Sequence, residues 1–418
     1  MSVSRRKLLS STLAAGAAFA GRKALAAAAP PPSPPPARGV RVPDGSALQG
    51  TVRGGFKIFH LRAEPVRHEI VPGLEVIAWG YNGTTPGPVI EAVEGDRVRI
   101  YVTNKLPEAT SIHWHGVLVP NGMDGVAGLT QAGIPPGKTF RYEFVFERAG
   151  TYMYHPHADE MTQIALGMTG MIVVHPRGGE PAARDYALML HEWKVPAGTR
   201  RADPLAMNDF NVLTINGKAF PATSPLVART GELVRIRFGN LGPMDHHPLH
   251  LHGHAFELVA TDGGPVPPGA RHPETTVLVP TGAVRVIEFR ARAPGDWPLH
   301  CHMTHHAMNQ MGHAAANLIG VDTTGLDARL GQVVPGTMAI GATGMGEMTA
   351  AMPQPPNTIA MLGGKGPYGE IAMGGMFTIV KIRDTLTGDA DPGWYAAPPA
   401  TIASEATAAD LARDGITP

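Results

Sequence analysis

Four His-x-His pairs constrain this chain more than any other feature: His113/His115, His155/His157, His250/His252 and His300/His302. In a strand, residues i and i+2 point to the same face, so each pair can aim two imidazoles at one place. The pairs fall into two copies of one unit, an internal repeat. Residues 94–104 and 231–240 match: Val98, Ile100 and Val102 alternate with polar residues, as do Val234, Ile236 and Phe238. That is the period of a half-buried strand. Each such strand leads to a pair followed by glycine, His113-Trp114-His115-Gly116 or His250-Leu251-His252-Gly253. Each copy then has a turn (Ala149-Gly150 or Pro294-Gly295), an aromatic residue (Tyr152 or Trp297) and a second pair. Helical periodicity is weak, and the 51 glycines and 40 prolines suit a turn-rich all-β chain. Two copies of one β unit predict two similar β-sandwiches or barrels.

A length of 418 residues fits two or three domains, and 43% hydrophobic content is enough to bury real cores. Lys plus Arg and Asp plus Glu are both 35. That balance gives no basic field for nucleic acid and no acidic, solvating character. Cys301 is the only cysteine, so an intrachain disulfide is excluded. Residues 1–29 read as an export signal. Ser4-Arg5-Arg6-Lys7-Leu8-Leu9 precedes an Ala-rich apolar stretch with a small-residue cleavage site near Ala24-Leu25-Ala26. The paired arginines are similar to a bacterial twin-arginine signal. An ordinary secretory signal is the other reading, and both predict an extracytoplasmic or periplasmic protein. No other stretch is long and apolar enough to span a membrane.

Imidazole suits copper and zinc, and thiolate favours cuprous copper. Four pairs at repeat-related positions therefore predict a metal protein. Two flanking patterns narrow the metal. His247-Pro248-Leu249 runs directly into His250, and Cys301, His306 and Met311 are spaced five and five. A trigonal site of two histidines and a cysteine with a distant methionine is the blue-copper arrangement for electron transfer.

On these four signatures, spanning about residues 90–320, the chain resembles the multicopper oxidases, in the two-domain, laccase-like form. The resemblance implies two cupredoxin-like Greek-key β-sandwiches and four copper ions per subunit. It assigns His247, Cys301, His306 and Met311 to the type 1 copper. It assigns His113 and His250 to the type 2 copper, and His115, His155, His157, His252, His300 and His302 to the type 3 pair. The implied reaction couples one-electron oxidation of a phenol, an aromatic amine or Cu(I) to four-electron reduction of O2. Cys301 lies between His300 and His302, so an electron arriving at the type 1 site can leave through covalent bonds. Aligning the repeats puts Thr110 over His247, Pro156 over Cys301, Met161 over His306 and Leu166 over Met311. The first domain should therefore carry no blue copper.

The repeat predicts domains at 50–178 and 179–325, after a Pro-rich linker at 30–49 and before a Gly- and Met-rich C-terminal extension at 326–418. Residues 157 and 247 lie too close in sequence for the extra domain of three-domain laccases. Each domain offers only four trinuclear histidines, and relatives of this type close head-to-tail contacts into a homotrimer, as a ring requires. Asp124, in Asn121-Gly122-Met123-Asp124, matches an aspartate that the family uses near the type 2 copper as a proton relay; the plainer reading is an Asp-Gly turn. Met338, Met345, Met348, Met352, Met361, Met373 and Met376 either handle copper or serve as flexible packing. Ala307 stands where some cuprous oxidases have an acidic residue. Two other readings of the same donors are a copper nitrite reductase and a copper-binding or resistance protein without turnover.

Overall fold

The computed structural model describes residues 39–417, apart from 180–181, 197, 263, 310–324, 326–328, 330–331, 333–355 and 360–362. The signal at 1–29, residues 30–38 of the Pro-rich linker, Met311 and five of the seven late methionines lie outside the described residues. Among the described residues no helix is long and apolar enough to cross a membrane.

The chain folds as two β-sandwiches, the all-β architecture expected of cupredoxin-like domains. In the first domain one sheet runs Ala47–Gln49, Val89–Val93, Gly170–His175, Gly150–His155 and His113–His115. The facing sheet runs Thr51–Arg53, Phe56–Val71, Arg97–Asn104 and Thr139–Val145, with Leu74–Tyr81 paired on the long strand. The alternating strand Arg97–Asn104 turns Val98, Ile100 and Val102 into a core that holds Trp114, Tyr142 and Phe146. Fully burying apolar side chains of this size is worth about 1.5–3 kcal/mol each. In the second domain the site sheet runs Leu226–Arg229, Phe377–Arg383, Gly295–Cys301, His247–Leu251 and Thr276–Val279. Its core includes Ile236, Phe238, Leu249 and Cys301.

The repeat extends to single hydrogen bonds. Asn104 Nδ2 donates to the Ile134 carbonyl at 2.7 Å, and Asn240 Nδ2 donates to the Val279 carbonyl at 3.1 Å. Each asparagine also accepts from a backbone N–H two residues on, Leu106 or Gly242. These side chains tie each repeat strand to the loop before its histidine strand. The register then matches: His113 lies opposite His155, and His250 opposite His300.

Two stretches read as connectors belong to the fold. Ala47–Gln49 pairs in parallel with Val89–Val93, so the first sheet begins inside the presumed linker. Phe377–Arg383, from the presumed extension, lies between Leu226–Arg229 and the Cys301 strand. It holds the place that Gly170–His175 holds in the first domain. There the strand follows residues 156–169; here it follows 302–376. The Gly- and Met-rich stretch is thus largely an insertion within the second domain. The domains meet over Val89, Met153, Met171 and Val173 against Ala187, Met189, Val284 and Val286. Arg237 clamps this seam, with Asp185 at 2.7 and 2.8 Å and Thr151 of the first domain at 2.6 Å.

Candidate metal centre

Alternation along Gly295–Cys301 separates two faces at adjacent residues. Cys301 turns inward, fully buried, while His300 turns to the other face and stacks on Phe377. On the inner side Cys301 Sγ lies 3.8 Å from His247 Nδ1 and 3.6 Å from His306 Nδ1, and the two nitrogens are 3.2 Å apart. A point equidistant from these donors lies about 2.1 Å from each, the length of a bond from imidazole to a first-row metal. The His2Cys set therefore fits a trigonal copper ion. Burial pushes the Cys301 thiol up to about 12, so the thiolate forms when a cation displaces the proton.

Sequence reading missed two carboxylates that hold this triad. His247 Nε2 faces Glu192 Oε2 at 3.3 Å, and His306 Nε2 faces Asp245 Oδ2 at 3.4 Å. Contacts at Nε2 leave both Nδ1 lone pairs for a metal. Glu192 is fully buried and accepts from the backbone N–H of Met244 at 2.6 Å and Asp245 at 2.8 Å. Burial opposes its charge, but bonding and charge coupling with His247 outweigh it and hold the carboxyl below the usual range. The hydrogen bond from His306 likewise holds Asp245 low. Across the sheet from Cys301, the Met376 carbonyl accepts from Cys301 N at 3.0 Å, and its side chain is fully buried in the same core.

The other histidines form two quartets. Around His113 the ring centroids lie 5.7 Å from His115, 5.3 Å from His155 and 5.7 Å from His157. Around His250 they lie 4.8 Å from His252, 5.8 Å from His300 and 5.5 Å from His302. Among the described residues no ring contact joins one quartet to the other. The His113 quartet opens instead on Leu241–Met244 and Thr281–Gly282 of the second domain. In the second quartet His302 is exposed, and His250 and His252 are half-buried.

Backbone carbonyls fix the tautomers. Nδ1 of His113, His155, His250 and His300 each donates at 2.8 Å, to Asp124, Pro156, Thr275 and Cys301 respectively. Each Nε2 then presents a lone pair, as a metal ligand must. His252 Nε2 and His300 Nε2 approach to 3.1 Å, and His115 Nδ1 and His155 Nε2 to 3.3 Å. Burial pushes His155 down to about 3 and lowers His115, His252 and His300, so these imidazoles stay neutral. The donor sets fit metal ions. Asp124 follows a short 3-10 turn, Asn121–Met123, that sets its carboxylate 3.4 Å from His113 Nδ1. Glu160 adds a carboxylate 3.4 Å from His155 Nδ1 and 3.6 Å from His157 Nε2.

Comparison with known proteins agrees with this geometry. Two family models described as multicopper oxidase match residues 63–179 and 194–319, together more than half of the chain. Copper resistance protein A of Escherichia coli is 31% identical over 248 residues, covering 47% of this chain and 41% of that protein. Laccase-1 of Botryotinia fuckeliana is 36% identical over 218 residues, covering 48% of this chain and 36% of that protein. The chain thus spans well under half the length of these curated relatives. The crystal structure of the blue copper oxidase from Nitrosomonas europaea superposes with a TM-score of 0.58 at 27% identity, over 78% of this chain and 85% of that one. A buried His2Cys triad, two separate histidine quartets and the matched family models lead to one conclusion: this chain belongs to the multicopper oxidase family.

Proposed function

We propose that the protein is an exported, periplasmic oxidase that takes single electrons from a phenolic, aromatic-amine or Cu(I) reductant and reduces O2 to water. Bound copper supplies one-electron acceptance at the His247/Cys301/His306 triad and O2 reduction at the histidine quartets. Four ions per chain fit the donors: one in the triad, one shared by His113 and His250, and a pair held by the other six histidines. The observation that carries this reading is Cys301 itself. Its sulfur faces the triad while its backbone runs directly into His300 and His302 of the other centre, so one short covalent path joins them.

The separation of the quartets supports an assembly in which the first domain of one subunit meets the second domain of the next, closing as a homotrimer. Asp124, held beside His113, passes protons toward that junction in this reading. Its carbonyl orients the His113 ring and its carboxylate faces the same nitrogen. The copper-loaded protein should contain four coppers and one blue site per chain, and should consume O2 with a simple phenol or with Cu(I). Two blue sites per chain, or no O2 uptake with either reductant, would refute the reading.

A further inference from the structure

The strand Phe377–Arg383 carries a buried lysine, Lys381, that no metal centre uses. The residues after this strand fold back and are tied down at three points. Asp389 pairs with Arg41 and Arg184, Asp391 pairs with Lys381 at 2.7 Å, and the Tyr395 backbone N–H donates to Asp296 at 2.8 Å. Between the last two ties stands Trp394, with the Lys381 ammonium 4.5 Å from its ring centroid. The indole is nonetheless 43% exposed. Burying a tryptophan is among the largest apolar gains open to a chain. An indole fixed by flanking ties and left nearly half in water therefore offers a surface that a ligand can cover.

Trp394 and Lys381 line one cavity of about 220 Å3, and none of its lining residues is a copper ligand. Phe220, Pro221 and Ile379 supply its other apolar walls. An apolar cavity of about 150 Å3 accepts benzene, so this one has room for a single ring with a small substituent. It is too small for the drug-sized molecules that fill pockets of roughly 300–1,000 Å3. Its charged lining is Lys365, Lys381 and Asp391, two cations against one anion. An ammonium has three donors, and Asp391 takes one of those of Lys381. A second anionic oxygen can thus be held there, within an otherwise apolar wall.

We propose that this cavity binds a single-ring aromatic carboxylate, its ring against Trp394 and Phe220 and its carboxylate on Lys381, with Lys365 adding positive charge. Aromatic contact selects the ring, and the lysines select the anion over a neutral phenol.

The test titrates the copper-loaded protein calorimetrically with benzoate, with acetate and with phenol. Acetate reports carboxylate binding that needs no ring, including any at the metal centres. We expect one benzoate per chain, bound at least tenfold more tightly than acetate or phenol. Trp394→Leu should raise the Kd for benzoate about tenfold or more and leave the blue absorbance and O2 uptake with Cu(I) unchanged. Lys381→Met should also weaken benzoate, and Lys381→Arg should restore part of the affinity; Trp394→Leu, at a half-exposed position, decides the matter if the buried lysine proves essential to folding. No benzoate bound, equal binding by wild type and Trp394→Leu, or acetate bound as tightly as benzoate would each overturn the proposal.

Discussion

Equivalent positions in the two domains have opposite contents. In the second domain His247, Cys301 and His306 bring three donors within 3.8 Å of one another. In the first, the matching positions are Thr110, Pro156 and Met161. The Thr110 hydroxyl donates to Gln163 Oε1 at 2.6 Å, and Gln163 Nε2 donates to the Ala109 carbonyl at 2.9 Å. Thr110 and Gln163 are fully buried, while Met161 turns outward. A sandwich of this kind can therefore close that end with a satisfied hydrogen-bond pair instead of a metal triad. The quartets behave differently. Both domains keep one, with the same carbonyl-fixed tautomers, which fits two half-sites that are each incomplete alone.

The largest expected effect is that of Cys301→Ser. It should abolish the blue absorption and slow reductant-driven O2 uptake by about a thousandfold or more, while copper remains on the quartets. Pro156→Cys in the first domain should create no blue site, because Thr110 and Met161 supply no imidazole. Visible spectra and metal analysis check both outcomes.

The copper-free protein should respond next most strongly, to acid. Burial holds His155 at about 3 and His191 at about 4, against an ordinary 6.5. Between pH 6.5 and 4 the unfolded chain binds protons that the folded chain refuses, so stability falls as pH falls through that window. Denaturation midpoints at stepped pH would show it; a flat profile would contradict it.

Asp124→Asn should slow turnover by about a hundredfold with copper content unchanged, as expected when a proton-transfer group is lost. Full turnover would return Asp124 to a turn residue. Smallest is Gln163→Leu, which leaves the buried Thr110 hydroxyl without its acceptor. It should cost about 1–3 kcal/mol in chemical denaturation and leave the blue absorption intact.

The grouping of donors was legible because strand alternation and short spacing are local. His113 and His155, or His250 and His300, meet across one strand pair. Glu192 and Asp245 were not legible, because their contacts depend on how Arg184–Trp193 and the loop at 241–246 pack on the histidine strands. Nor was the strand Phe377–Arg383. A Gly- and Met-rich stretch, residues 302–376, parts it from the Cys301 strand, so sequence proximity gave no sign that the two pair. Met311, the spacing-based thioether, lies outside the described residues.

We propose that neither domain's quartet works alone and that each is completed by a neighbouring subunit. Subunit mixing tests it most directly. Chains carrying His113→Ala and chains carrying His250→Ala should each be blue and inactive. Co-assembled in equal amounts, they should recover about a quarter of wild-type O2 uptake, because random head-to-tail contacts pair an intact first domain with an intact second domain that often. Mixed assemblies of wild-type size that recover no activity would contradict completion by a neighbouring subunit.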